Sequence, residues 1–173
     1  MKDIEFEAVF DAHKDAVYRF AWRMLNSASA AEDVAQDVFL SLLRLPDRFD
    51  PNRGRLRSFL LGITRNLVLK RWRDDHRWEA LDDESFLAPS FDIERRETTQ
   101  IVGDAVRALP PLQREVLILA EYEELSLEEI ARAVDTEVGT VKSRLHRARE
   151  NLRRMLQPLK SSDASEVNHG TVR

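Results

Sequence analysis

No cysteine occurs anywhere in the chain, which excludes disulfides and cysteine-ligated zinc and fits a reducing compartment. Glycine and proline are scarce, five and six among 173 residues, too few for the many turns of an all-β fold. The four histidines, His13, His76, His146 and His169, are scattered without ligand or triad spacing and read as structural or surface residues. No glycine-rich phosphate loop is present, and the carboxylates lack any pairing suited to general acid–base work. Neither catalysis nor a bound metal or cofactor is therefore expected. No apolar run approaches the length of a membrane span, and Met1-Lys2-Asp3 leads straight into an amphipathic pattern rather than a signal peptide. A cytoplasmic protein with no membrane insertion of its own is the expectation.

What is present is charge and helical periodicity. Charged residues make up 34% and hydrophobic ones 43%, a balance that suits one ordinary or two small helix-rich domains. The net charge of −4 argues at first against a nucleic-acid partner, but the average hides a segregation. From Arg48 to Arg73 stand Arg48, Arg53, Arg55, Arg57, Arg65, Lys70, Arg71 and Arg73 against a single acid, Asp50. The balancing acid lies at the N-terminus, in Asp74–Asp92, and between Glu115 and Glu137. Two basic patches separated by acidic stretches point to two DNA contacts, with a partner or exclusion role for the acid.

The second patch lies in LSLEEIARAVDTEVGTVKSRLHRARENLRRML, Leu125 to Leu156. Ser126 and Glu129 form a capping box, and Leu127, Ile130, Ala131 and Val134 give one apolar face. Asp135-Thr136 then supplies a turn and an N-cap-type hydroxyl. The following helix buries Val138, Val141, Leu145, Ala148 and Leu152 and exposes Thr140, Lys142, Ser143, Arg144, Arg147, Arg149, Arg153 and Arg154. Glu150 is the one acid between Lys142 and Arg154, whereas a merely solvated helix mixes both signs. A short helix, a tight turn and a basic helix with hydroxyls near its start form a helix-turn-helix pattern, whose second helix enters a major groove while arginines meet phosphates.

Upstream, residues 4–25 read as a first helix ended by Asn26-Ser27, and Ser29 with Glu32 reads as the capping box of a second, running to about Leu45. That second helix exposes Asp33, Gln36, Asp37 and Leu40, either ordinary exterior or a docking face. PDRFDPNRG, Pro46 to Gly54, is a loop, in which Phe49 either tucks onto the core or serves as a stacking platform. A third helix, Leu56 to Arg73, buries Leu56, Phe59, Leu60, Ile63 and Leu67, with Arg65, Asn66, Lys70, Trp72 and Arg73 on its other faces. Basic residues interleaved with an amide and an aromatic suit melted or single-stranded DNA. Periodicity fails over the acidic residues 76–92, a linker too long for a loop within one compact domain. A second helical unit follows at 93–157, with a helix from Ile93 to Leu109, a Pro110-Pro111 break and an apolar stripe of Leu112, Val116, Leu117 and Ala120. Residues 158–173 lack an apolar period and read as a disordered tail. The fold class is all-α: two small helical domains, 4–75 and 93–157, joined by an acidic linker.

Two runs carry a resemblance to a known family. LPPLQREVLILAEYEELSLEEIARAVDTEVGTVKSRLHRARENLRRML, with its GTVKSRLHRAR core, resembles region 4 of bacterial RNA polymerase sigma factors of the extracytoplasmic-function group. AEDVAQDVFLSLLR and FDPNRGRLRSFLLGITRNLVLKRWR resemble region 2 of the same group. The resemblance implies a cytoplasmic bacterial protein that docks on core RNA polymerase through Asp33, Gln36, Asp37 and Leu40. It assigns the capture and melting of a promoter −10 element to Phe49, Arg53, Arg65 and Asn66, with Lys70, Arg71 and Arg73 on the DNA backbone. It assigns −35 recognition to Thr140, Lys142, Ser143, Arg144 and Arg147, and it implies promoter DNA and an anti-sigma factor as further partners. The linker resembles the short segment that replaces region 3 and threads toward the RNA exit path. Asp135 stands where the family's turn carries glycine, with Thr136 and Glu137 after it and Phe59 in place of a tryptophan. Two other readings stay open on the residues alone: a stand-alone helix-turn-helix regulator, and a sigma mimic that sequesters an anti-sigma factor.

Overall fold

The computed structural model describes residues 3–75, 86, 87, 89 and 97–166 of the chain, with side chains described between 5 and 157. Among these residues there are seven α-helices and no strand: α1 (Asp3–Leu25), α2 (Ala28–Arg44), α3 (Leu56–Asp74), α4 (Thr98–Ala108), α5 (Pro111–Glu121), α6 (Leu127–Ala133) and α7 (Val138–Glu166). The all-α expectation holds. The acidic stretch 76–85, Ile93 and residues 167–173 lie outside the described residues.

Helices α1, α2 and α3 pack on one another through Val17, Phe20, Ala21 and Met24 of α1, Val34, Val38, Phe39 and Leu42 of α2, and Leu60, Leu61 and Val68 of α3. At the N-terminal end Phe6, Phe10 and Phe39 cluster, with Phe10 edge-on to Phe39 at 4.8 Å between centroids, a favoured aromatic geometry. Asn26 takes a left-handed φ of 51° and ends α1 at once. The chain therefore reverses earlier than expected, and Ser27 rather than Ser29 caps α2, accepting from the Ala30 amide at 3.3 Å. The loop that follows is built of two 3-10 turns, Pro46–Arg48 and Pro51–Arg53, each opening on a proline; Asp50 caps the second.

In the C-terminal half, α4 to α7 enclose Ile101, Ala105, Leu109, Val116, Ile118, Leu119, Ile130, Val141, Leu145, Ala148 and Met155. Pro111 opens α5 as its first-turn residue, where its missing N–H costs nothing. Buried Asn151 donates to Gln113 Oε1 at 2.8 Å, joining α7 to α5. α7 continues as helix through Glu166 rather than giving way to irregular chain at 158. An apolar period reports burial, whereas extending an existing helix adds one hydrogen bond for each residue fixed.

The two halves share one contiguous buried cluster. α3 packs on α6, and α1 packs on α5. α3 carries no clean apolar stripe because α1 and α2 pack on it as well as α6. It is buried on two sides, so Ser58, Leu61, Gly62, Thr64, Leu69 and Trp72 are all covered. Trp72, expected among the exposed residues, is 4% exposed, and the guanidinium of half-buried Arg114 from α5 lies 6.0 Å from its ring. Leu56, Phe59, Ile63 and Leu67, expected inside, are only partly buried.

Candidate nucleic-acid interface

The helix-turn-helix forms as its sequence implies. Ser126 Oγ accepts from the Glu129 amide at 3.2 Å while Glu129 Oε2 accepts from the Ser126 amide at 2.9 Å, closing both halves of the capping box. Asp135 takes a left-handed φ of 51°, a conformation that aspartate tolerates better than most residues. The Thr136 amide then bonds back to Ala131 O at 2.9 Å. Glu137, not Thr136, precedes the first residue of α7, its carbonyl taking the Val141 amide at 3.1 Å. An acid at that position complements the positive end of the helix dipole.

Along α7, Val141, Leu145 and Ala148 are buried, Val138 and Leu152 half-buried, and Lys142 and Ser143 exposed. Thr140, Arg144 and Arg147 are half-buried. Arg144 lies 3.8 Å from Glu115 of α5. Arg149, farther along, forks onto a single oxygen of Glu121 at 3.1 and 2.6 Å.

On the other half, Phe49 is half-buried and its ring sits 5.5 Å from that of Phe59, tilted by 49°. The loop aromatic thus folds back onto α3. Arg53, Asn66, Lys70 and Arg73 are exposed, and Arg71 lies 3.6 Å from Asp33 on α2. Arg65 is different. It is committed to Glu115 through two bonds, Nε at 2.8 Å and Nη2 at 3.1 Å, with its side chain 13% exposed. The four docking candidates on α2, Asp33, Gln36, Asp37 and Leu40, are all exposed, and Leu43 and Leu45 beside them are 49% and 52% exposed. Sequence reading did not single out these two leucines, although they fall outside the buried stripe of α2.

It also did not single out two glutamates of the C-terminal half, Glu115 and Glu123, or the second partner of the capping-box residue Glu129; all three are buried. Each meets arginines of the N-terminal half. Arg55 forks onto Glu129 at 2.5 and 2.7 Å, joined by Ser58 at 3.1 Å. Arg57 donates to Glu123 at 2.5 Å, with Arg23 at 3.9 Å from the same carboxylate and stacked 4.1 Å over the Tyr122 ring. The Arg55 guanidinium, the Ser126 amide and the Ser58 hydroxyl together hold the Glu129 carboxyl down at about 2, because all three favour the ionised form. Half-buried Arg114 caps the end of α4 through Leu109 O and reaches across to Met24 O of α1 at 2.9 Å; desolvation lowers its pKa to about 10. The signal in sequence was a glutamate inside the apolar run of α5, which buries an ion unless a partner waits there.

Two clefts run along the seam between the halves. One, of about 460 Å³, is lined by Arg48, Phe49, Arg53, Arg55 and Asn66 from the loop and α3, and by Arg132 and Asp135 from the helix-turn-helix. The other, of about 500 Å³, brings Arg65, Asn66, Lys70 and Arg73 opposite Asp135, Thr136 and Arg144. Residues of both expected DNA sets therefore face one another across the same groove. Among the described residues no cluster of metal-ligating side chains occurs, and no helix is long and apolar enough to cross a membrane.

Comparison with known proteins identifies the family of each half. Residues 9–79 match the profile of Sigma-70 region 2, and residues 99–152 match that of Sigma-70, region 4. The chain is 32% identical to the ECF RNA polymerase sigma factor SigW of Bacillus subtilis, over 89% of this chain and 90% of that protein. It is 34% identical to the ECF RNA polymerase sigma factor SigE of Mycolicibacterium smegmatis, over 90% of this chain and 63% of the other. Among solved structures, the sigma factor RpoE of Bartonella quintana, crystallised in complex with the anti-sigma factor NepR, superposes with a TM-score of 0.68 at 27% identity, covering 88% of this chain and 97% of that one. CnrH in complex with the cytosolic domain of CnrY superposes with the same TM-score at 24% identity, covering 91% and 90%, a likeness of fold. With both sigma-70 regions present in order and a full-length relative above 30% identity, the chain belongs to the sigma-70 family, in its ECF group of RNA polymerase sigma factors.

Proposed function

We propose a division of labour among three faces of this ECF sigma factor. The outward face of α2, with Asp33, Gln36, Asp37 and Leu40 extended by Leu43, docks on core RNA polymerase. The loop and α3 handle the −10 element: Phe49, Arg53, Arg65 and Asn66 capture an unstacked base, while Lys70, Arg71 and Arg73 hold the backbone. The start of α7, through Thr140, Lys142, Ser143, Arg144 and Arg147, reads the −35 duplex. Flipping a base costs a few kcal/mol, and stacking with an edge-on hydrogen bond offsets it. An anti-sigma factor is a further partner by analogy with the RpoE–NepR pair, and the cytoplasm, where polymerase works, is the place of action. The units carrying these faces are residues 4–75 and 93–157, joined by the linker 76–92.

The observation that carries this reading is the turn at Asp135. Its left-handed backbone turns the chain into α7, whose second turn leaves Lys142 and Ser143 exposed, the disposition a major-groove reader needs. The test is run-off transcription by bacterial core RNA polymerase with and without the protein, on a promoter-library template, with co-elution in parallel. Initiation at discrete sites sharing two spaced upstream elements is expected. No association with core would defeat the proposal in favour of a stand-alone regulator.

A further inference from the structure

The basic helix α7 opens on an acid. Glu137 is exposed, and its carbonyl takes the Val141 amide, which fixes it as the residue just before the first helical one. Its carboxylate has no hydrogen-bond or ion-pair partner among the described residues, so no contact within the protein accounts for it. Gly139 follows in the first turn. A Cβ there would meet nothing within 4 Å, and its φ is not left-handed, so neither internal crowding nor a turn calls for glycine. Glycine in a helix is destabilising relative to alanine; what the missing side chain offers here is close approach of an outside surface. Gly139 lies one turn before Lys142 and Ser143, and all three are exposed.

Such a helix end can sit on duplex DNA in two ways. Against a phosphate, the free amides of the first turn would welcome the anion, but the Glu137 carboxylate would repel it at short range. Against the floor of the major groove, a carboxylate needs a donor. The amino groups of cytosine and adenine are the donors the bases present there, and adenine flanks its own with the N7 acceptor. Neighbouring side chains do not duplicate this role. Ser143 donates its hydroxyl proton to Thr140 O at 3.0 Å, Lys142 can only donate, and Asp135 lines the groove shared with α3.

We propose that Glu137 is a specificity-determining residue: in the −35 duplex it accepts a hydrogen bond from the N4 amino group of a cytosine, and so selects a C·G pair at one position of that element. The inference rests on α7 being the −35 reader. It gives the acid a role that a basic DNA-binding helix otherwise lacks, since a charge that repels every phosphate is kept near the duplex only where one base edge rewards it.

The test runs the full chain and its variants with core polymerase on templates whose upstream duplex element is randomised, and sequences the templates that initiate. The wild type is expected to favour C·G at one position of the element about tenfold over the other pairs. Glu137→Ala should level that position and leave the others as they are. Glu137→Gln should shift it to A·T, because a glutamine amide fits adenine N6 and N7 together. Co-elution with core polymerase checks that both variants are folded. A preference unchanged in Glu137→Ala overturns the proposal, as does a uniform rise in initiation on every template, the mark of an acid that only repels phosphate. Lys142→Ala separates the proposal from the reading beneath it. If Lys142→Ala alters other positions while Glu137→Ala alters none, α7 remains the −35 reader and the cytosine contact falls; if neither variant alters any position, both fall.

Discussion

Arg55 and Glu129 stand 74 residues apart in the chain and meet as a forked ion pair at 2.5 and 2.7 Å. The same carboxylate closes the capping box of α6. One side chain thus starts the helix-turn-helix and fastens it to the N-terminal half, so local helix order and closure of the seam respond to a single titration.

Glu129→Gln should lower the urea midpoint at neutral pH, because the amide keeps an acceptor for Ser126 but loses the charge that holds Arg55. The sign of its pH dependence follows from a carboxyl held down at about 2 against an ordinary 4.5. A depressed pKa contributes stability above the ordinary value, and this is lost as pH falls toward about 2. The gap between wild type and variant should therefore close over that window. A gap that stays constant from pH 7 to pH 2.5 would contradict the assignment.

Gln113 and Asn151 form a buried amide pair at 2.8 Å, and the Gln113 amide nitrogen has no hydrogen-bond partner among the described residues. Removing one partner leaves the other stranded. Asn151→Ala should cost about 1–3 kcal/mol, whereas Gln113→Met with Asn151→Leu should be close to neutral. A double-mutant cycle by chemical denaturation measures both, and additive losses would show that the pair is uncoupled.

Asp135 pays for its turn with a left-handed backbone. Asp135→Gly should be neutral or stabilising by up to about 1 kcal/mol, and Asp135→Val destabilising by about 1–2 kcal/mol. Thermal unfolding distinguishes them. If glycine were the worse residue, the aspartate side chain would have to be making a contact that outweighs the strain.

Arg144→Ala and Asn66→Ala should each reduce promoter-specific initiation roughly tenfold or more while core polymerase still co-elutes, since a good base or phosphate contact contributes about 1–3 kcal/mol. Asp37→Arg should do the reverse. Co-elution that survives Asp37→Arg would remove α2 as the docking face.

Helix positions, the capping box of α6 and the buried stripe of α7 were legible because each is set by local spacing. Ser126, Glu129 and the Val141–Leu145–Ala148 stripe depend on neighbours three or four residues away. Trp72 and Ser58 were not legible, since their burial comes from α5 and α6, far along the chain, and a helix covered on two sides loses its single stripe. The same cause hid the ion pair of Arg65. Its cationic character pointed toward DNA, and its partner Glu115 is 50 residues away. The α2 cap was missed by two residues because Asn26 turns the chain more sharply than its sequence announces.

The seam is greasy as well as ionic: Leu69, Leu112 and Val134 line the groove beside the paired charges, and the buried cluster runs through it unbroken. Parting the halves therefore wets apolar surface, and salt alone, which weakens only the charges, is a poor key. An opened molecule in free solution would be a sticky one, prone to self-association and to proteolysis. A parted form would need a surface to cover what it uncovers.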